Sequence, residues 1–147
     1  MPTRILVVCL GNICRSPAAE AALRRLLPDH RIDSAGTSDW HVGEPPHPPM
    51  IRAAAMRGYD LTPLRARQIR AQDFVDFDLI LAMDTKNLAD IETLRPAGSA
   101  TPVRLFTDYA PEAGASHVPD PYFTNDYNGV LDLIEAAAMG LAKKLPR

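Results

Sequence analysis

Residues 7–23 read VVCLGNICRSPAAEAAL. Apolar, strand-like residues run into a short polar turn, and the turn opens an alanine-rich helix. The two cysteines of the chain, Cys9 and Cys14, both stand in that turn. Arg4 to Cys9 is a short run dominated by apolar residues, as expected of a strand buried on both faces. Ser16 reads as an N-cap and Pro17 as the first residue of a helix reaching Leu27, with Pro28 as its stop.

Outward from this turn the same alternation repeats. His30 to Ala35 reads as a second strand, ended by AGTS. DWHVGEPPHPP, residues 39–49, is a Pro- and Gly-rich surface loop. Met50 to Arg57 reads as a helix stopped by Gly58, Ala66 to Ile69 as a short strand, and residues 71–76 as a helical turn. DLILAM, residues 78–83, is a further buried strand, after which Asp84 caps a helix over 85–94. Val103 to Phe106 is a last short strand. A long loop, 107–126, then leads to a helix from Tyr127 to Leu145. Strands alternating with helices imply an α/β fold with a parallel sheet covered on both faces. In such sheets ligands bind beyond the carboxyl ends of the strands, where strand order reverses. Residues 9–16 occupy that rim.

The chain has 147 residues and a net charge of -2, with 46% hydrophobic and 23% charged residues. This suits one domain over residues 1–147 with a core of its own. The mild acidity argues against a nucleic-acid partner, which favours a basic face. No apolar run approaches the roughly 18–20 residues that span a bilayer. Ile5 to Val8 is too short for the apolar core of a signal peptide, and a lipoprotein site at Cys9 is the weaker reading of the same residues. A cytoplasmic location, where thiols stay reduced, is expected.

Amide N–H groups in a turn entering a helix can converge on one point, and the helix end adds partial positive charge. A tetrahedral oxyanion fits such a cradle. Arg15 can grip two of its oxygens, and Gly11 lets the backbone approach. The same field favours a thiolate at Cys9, to which Ser16 can add a hydroxyl hydrogen bond. The turn therefore suits both holding and attacking a phosphate. A Walker loop would need a lysine and a second glycine, a zinc site about four ligands, and a redox pair two intervening residues rather than four. Taken alone, Cys-x5-Arg also fits a cysteine ending a buried strand and a solvated arginine.

VCLGNICRSPAAEA closely resembles the signature of the low-molecular-weight protein tyrosine phosphatases. DSAGTSDWHVGEPPHP (33–48), ARQI (66–69), DLILAMDTKNL (78–88) and VPDPYF (118–123) follow the family in content and order. The resemblance implies a three-layer α/β/α fold with a central four-stranded parallel sheet, order 2-1-3-4, and a phosphate-binding loop after the first strand. It implies Cys9 as nucleophile, Arg15 as phosphate and transition-state ligand, and Asp120 as general acid and base. Ser16 would hold Cys9 as thiolate. Backbone amides of Leu10, Gly11, Asn12, Ile13, Cys14, Arg15 and Ser16 would line the cradle. Asn12 would brace the loop with Ser34. Read alone, Asp120 between Pro119 and Pro121 is an ordinary turn aspartate.

By family position Ile13, Trp40 and Tyr122 wall the substrate slot, with Leu10 at its rim. The implied partner is a phosphotyrosine-containing protein, and no cofactor or metal is needed. Phosphoarginine-specific relatives carry a smaller polar residue at the position of Ile13, which favours aryl phosphates here. A protein-arginine phosphatase is the alternative, followed by a thiol-dependent arsenate reductase, which needs cysteines downstream of Cys14, and by a phosphotyrosine-binding module without turnover. Many relatives place a histidine where Leu64 stands, so the support behind Asn12 and Ser16 is expected to be rebuilt or truncated. Asp84 is expected to cap its helix rather than to orient Arg15. Cys14 is expected to trap an oxidised Cys9 as a disulfide. The chain is expected to be a monomer or weakly self-associating.

Overall fold

In the computed structural model, residues 2–145 are described. Met1, Pro146 and Arg147, at the ends of the expected 1–147 domain, lie outside the described residues. Four parallel strands form one sheet: β1 (Arg4–Cys9), β2 (Arg31–Gly36), β3 (Leu79–Ala82) and β4 (Val103–Leu105). Their order is β2-β1-β3-β4, as expected. Around it lie α1 (Arg15–Leu26), α2 (Pro48–Ala55), α3 (Asp73–Asp76), α4 (Thr85–Glu92), α5 (Pro121–Thr124) and α6 (Tyr127–Lys144).

Alternation along β1 explains why its run is continuously apolar. Ile5, Val7 and Cys9 join the core under α1, α2 and α6, with Leu23, Met50, Leu131 and Ile134. Leu6 and Val8 face the opposite layer, with Phe74, Phe77, Ile80 and Ile91. A strand with helices on both sides has no solvent face, so every position from Ile5 to Cys9 is apolar. The alanines of α1 have a packing role: Ala18, Ala19 and Ala22 are buried, and their small side chains let the helix lie close to the sheet and to α6.

Several local expectations are corrected. Residues 66–69 do not form a strand; Gln68 makes one isolated parallel bridge to Gly36, with Gly36 N donating to Arg67 O and Ile69 N to Gly36 O. A single bridge at the last residue of β2 does not make a ladder. Helix α1 begins at Arg15, so Ser16 is not its cap and Pro17 is not its first residue. Cys14 holds the cap position without a side-chain hydrogen bond, and the Ser16 hydroxyl lies against Cys9 Sγ. Within the loop 107–126, α5 forms at Pro121, where Asp120 caps it by accepting from Tyr122 N.

The consequence for function lies at the carboxyl end of β1. Strand order reverses beside it, since β2 lies on one side and β3 on the other. The turns after β1, β2 and β3 meet there: Thr37 N donates to Cys9 O, Ser38 N to Leu10 O and Met83 N to Val8 O. Gly36 shows how tightly they meet. A Cβ at Gly36 would lie 2.8 Å from Leu10 O and 3.1 Å from Asn12 N. Those are backbone atoms of the turn itself, so they cannot swing aside. Gly36→Ala is therefore expected to distort residues 10–12, costing roughly 1–3 kcal/mol by overpacking. Its effect on turnover exceeds its effect on melting, which a thermal melt beside steady-state kinetics checks.

Candidate active site

The turn from Cys9 to Arg15 forms the floor of a cleft of about 620 Å³. Cys9, Leu10, Gly11, Ile13, Cys14 and Arg15 line its base, and Trp40, Tyr122 and Asp120 its walls. Asn12 and Ser16 do not line it; they sit behind the turn, buried. Of the candidate residues, Ser34 is also behind, at the middle of β2.

Cys9 ends β1 with its sulfur within the turn. Ser16 Oγ lies 3.1 Å from Sγ, and Asn12 N donates to Sγ at 3.3 Å. The sulfur thus has a backbone donor in Asn12 N and a hydroxyl partner in Ser16. Asn12 takes φ of 56°, a left-handed conformation that asparagine tolerates better than most residues. Its side chain holds it there: Nδ2 donates to Ser16 Oγ at 2.8 Å and to Ser34 Oγ at 3.0 Å, while Oδ1 accepts from Arg67 N at 2.9 Å. The expected Asn12–Ser34 brace is present although Leu64 carries no polar group. Ser34 Oγ donates a hydrogen bond to Oε1 of the buried Glu20, at 2.6 Å. Burial pushes the Glu20 carboxyl above the usual range, against the Ser34 hydrogen bond and the nearby Arg24.

Arg15 is 3% exposed, and its guanidinium is anchored at one terminal nitrogen. One terminal nitrogen donates to Asp84 Oδ2 at 2.8 Å and to Val118 O at 3.0 Å, and the other lies 3.6 Å from Asp120 Oδ2. Burial disfavours its cation, but Cys9, Asp84 and Asp120 outweigh this and raise its pKa. The capping reading of Asp84 is half of its work. Oδ1 accepts from Asn87 N at 2.7 Å and caps α4, while Oδ2 holds Arg15. A carboxylate has two oxygens, so the two roles do not compete.

Cys14 is buried, and its thiol is pushed strongly up by burial, with Cys9 and Asp120 adding to the effect and Arg15 opposing it. Trp40 is 69% exposed, so it is a wall residue and not a core anchor. His41, Glu44, His47 and Phe123 share the wall but were not singled out by the sequence reading. His47 N donates to Ile13 O at 2.7 Å, and its ring lies 6.0 Å from that of Tyr122. His41 pairs with Glu44 at 3.0 Å. Proximity to Trp40 in the loop 39–49 was the available signal for these residues. For Glu20 the signal was a lone acid four residues after Ser16 in an alanine run. Among the described residues, no cluster of His, Cys, Asp and Glu suits a metal ion.

The family model for low molecular weight phosphotyrosine protein phosphatases matches residues 4–147. This chain belongs to the low-molecular-weight protein tyrosine phosphatase family. The family assignment is supported by individual relatives. The protein-tyrosine-phosphatase YfkJ of Bacillus subtilis is 35% identical over 149 residues, covering 97% of this chain and 96% of its own. A Schizosaccharomyces pombe phosphatase is 42% identical over 127 residues, covering 82% and 81%. Among solved structures, the protein tyrosine phosphatase of Entamoeba histolytica superposes with a TM-score of 0.90 at 33% identity, covering 97% and 96%. A Drosophila arginine phosphatase reaches 0.87 at 32% identity, covering 98% and 99%. As a member of the family the chain is a phosphatase of protein phosphotyrosine, built on the fold described above.

Proposed function

We propose that this tyrosine phosphatase works through a phosphocysteine intermediate on Cys9, with Arg15 as the phosphate ligand and Asp120 as acid and base. The observation that carries this reading is the convergence of Cys9, Arg15 and Asp120 on one cleft floor from β1, the turn after it and the cap of α5. In the first step the Cys9 thiolate attacks phosphorus, the P–O bond to the tyrosine ring breaks, and Asp120 gives its proton to the departing phenolate. In the second step Asp120, now a carboxylate, takes a proton from water. The resulting nucleophile breaks the S–P bond and releases inorganic phosphate and the thiolate. One carboxyl serves both steps because it alternates protonation states. Arg15 and the turn amides supply the charge stabilisation.

Substrate choice follows from the walls. Ile13, Trp40 and Tyr122 offer flat or apolar surfaces to an aromatic ring. A phosphoserine is too short to reach a sulfur at this depth. Phosphotyrosine proteins in the cytoplasm are the proposed partners, and the described residues contain no helix long and apolar enough to cross a membrane. Neither nucleic acid nor a cofactor has a part in this reading, and residues 1–147 act as one domain, monomeric or weakly self-associating. The test is hydrolysis of a phosphotyrosine peptide, para-nitrophenyl phosphate and phosphoarginine in EDTA. Phosphotyrosine is expected to be favoured in kcat/KM. Asp120→Asn is expected to lose about 10²–10⁴-fold in kcat, the range of general acid catalysis. Turnover biased to phosphoarginine would keep the nucleophile and overturn the role given to Ile13.

Cys14 suits a protective role. Peroxide oxidises the Cys9 thiolate to a sulfenic acid, releasing hydroxide. The Cys14 thiol then displaces water from that sulfur and closes a disulfide. Burial raises the Cys14 pKa and keeps it a thiol beside Cys9. After mild peroxide, activity is expected to fall and to return with a thiol reductant. Peptide mapping that finds sulfonic acid at Cys9 and a free Cys14 would sink the idea.

A further inference from the structure

Hydrogen-bond polarity behind the turn runs in one direction, and its far end is a carboxylate. Arg67 N donates to Asn12 Oδ1, so the Asn12 amide nitrogen faces Ser34 and Ser16 and donates to both. Each of these hydroxyls then accepts from Asn12 and has one proton to place. Ser34 places its proton on Glu20 Oε1 at 2.6 Å. Ser16 can direct its proton to Ala35 O at 3.5 Å or to Cys9 Sγ, which at 3.1 Å is the closer. Glu20 is 2% exposed, is paired at Oε2 with Arg24 at 2.6 Å, and does not line the cleft.

We propose that Glu20 is a positioning residue: by accepting the Ser34 proton it keeps the Asn12 amide turned so that the Ser16 proton is free for the Cys9 thiolate. Without that acceptor Ser34 holds a buried proton with no partner. Asn12, already hydrogen-bonded to Ser34, can offer it an acceptor by turning its amide against Arg67 N. Once the amide turns, Asn12 presents an acceptor to Ser16 as well, and Ser16 has a competing place for its proton. A buried polar group left without a partner costs more than a pair removed together. This rests on Cys9 being the nucleophile, and it gives Glu20 work that is neither contact with substrate nor proton transfer.

A through-space charge effect has the opposite sign. The charged groups facing Glu20 are Arg24, Asp33 and Arg67, and those facing Cys9 include Arg15 and Asp120. Removing the Glu20 anion by itself makes a second anion at Cys9 easier to form. The proposed route makes it harder. The experiment is iodoacetamide alkylation of Cys9 against pH, with the modified cysteine assigned by fragment mass spectrometry and folding checked by thermal melts.

Glu20→Met, which removes the acceptor, is expected to raise the alkylation midpoint by about one pH unit, a tenfold loss of thiolate below it. Glu20→Gln, equally uncharged but keeping an oxygen for Ser34, is expected to stay within a few tenths of wild type. The double variant Glu20→Met with Ser34→Ala removes the stranded proton and is expected to return towards the wild-type midpoint. Methionine and glutamine variants that behave alike, a midpoint that falls, or a double variant no better than the single overturns the proposal. If Glu20→Met alone does not fold, the double variant carries the comparison, and a raised midpoint there overturns it too. A wild-type Cys9 that resists alkylation across the pH range would instead remove the nucleophile assignment.

Discussion

Cys9→Ser is expected to lower kcat for para-nitrophenyl phosphate by about 10⁴-fold or more while leaving phosphate binding close to wild type. The reason lies in what the turn stabilises. Ser16 Oγ and Asn12 N, donors to the sulfur in the proposed mechanism, lie 3.1 and 3.3 Å from Sγ. The same donors cannot ionise an alcohol, whose proton is held far more tightly than that of a thiol. The serine oxygen therefore stays protonated and a poor nucleophile. The cradle and Arg15 remain, so inorganic phosphate or vanadate still binds, which calorimetry measures. Losses of this size are usual when a covalent nucleophile is removed and the remaining machinery is left in place. Turnover retained in Cys9→Ser would remove the phosphocysteine intermediate altogether.

Arg15→Lys is expected to cost about 10³-fold in kcat/KM, close to the loss from deleting a preorganised donor at a developing charge. Arg15 is anchored at one nitrogen by Asp84 at 2.8 Å and by Val118 O at 3.0 Å. That anchoring presents the rest of the planar fork to the cleft. A lysine has one compact ammonium, so meeting Asp84 and meeting two phosphate oxygens become alternatives. Asp84→Asn separates anchoring from architecture. Asparagine still caps α4 by accepting from Asn87 N, so the melting temperature should hardly move. The weakened hold on Arg15 should still reduce kcat/KM, by about tenfold. A variant that loses stability and activity in parallel would make Asp84 a cap and nothing more.

Much of the site was legible because chemistry and local structure coincide in residues 9–16. A buried strand, a short turn and a helix start can be read from one stretch of chain, and they place Cys9 and Arg15 without knowledge of the rest. Trp40 was legible as a wall residue from its Gly- and Pro-rich surroundings. Ser16 was misread as a cap, since a serine before a proline at a helix start satisfies that pattern equally well. Whether its hydroxyl serves the helix or the sulfur depends on where Cys9 Sγ comes to rest. Asp84 was half read for a similar reason: the cap is local, while Arg15 is 69 residues away. Residues 66–69 have strand composition, but only Gln68 reaches a partner, and no periodicity reports that.

By itself, then, the amino-acid sequence determined the layered α/β architecture and the turn that carries Cys9 and Arg15, because apolar periodicity and a compact motif act over short distances. Only the tertiary structure decided how the turn is held. Asp120 reaches Arg15 from a cap far along the chain, Gly36 admits the turn backbone, and Glu20, Ser34 and Asn12 lie on three separate elements that meet behind Cys9. Hydrogen-bond direction is a property of such a closed set of neighbours. A serine, an asparagine and a glutamate each have several partners open to them along the chain, and burial together leaves each with few.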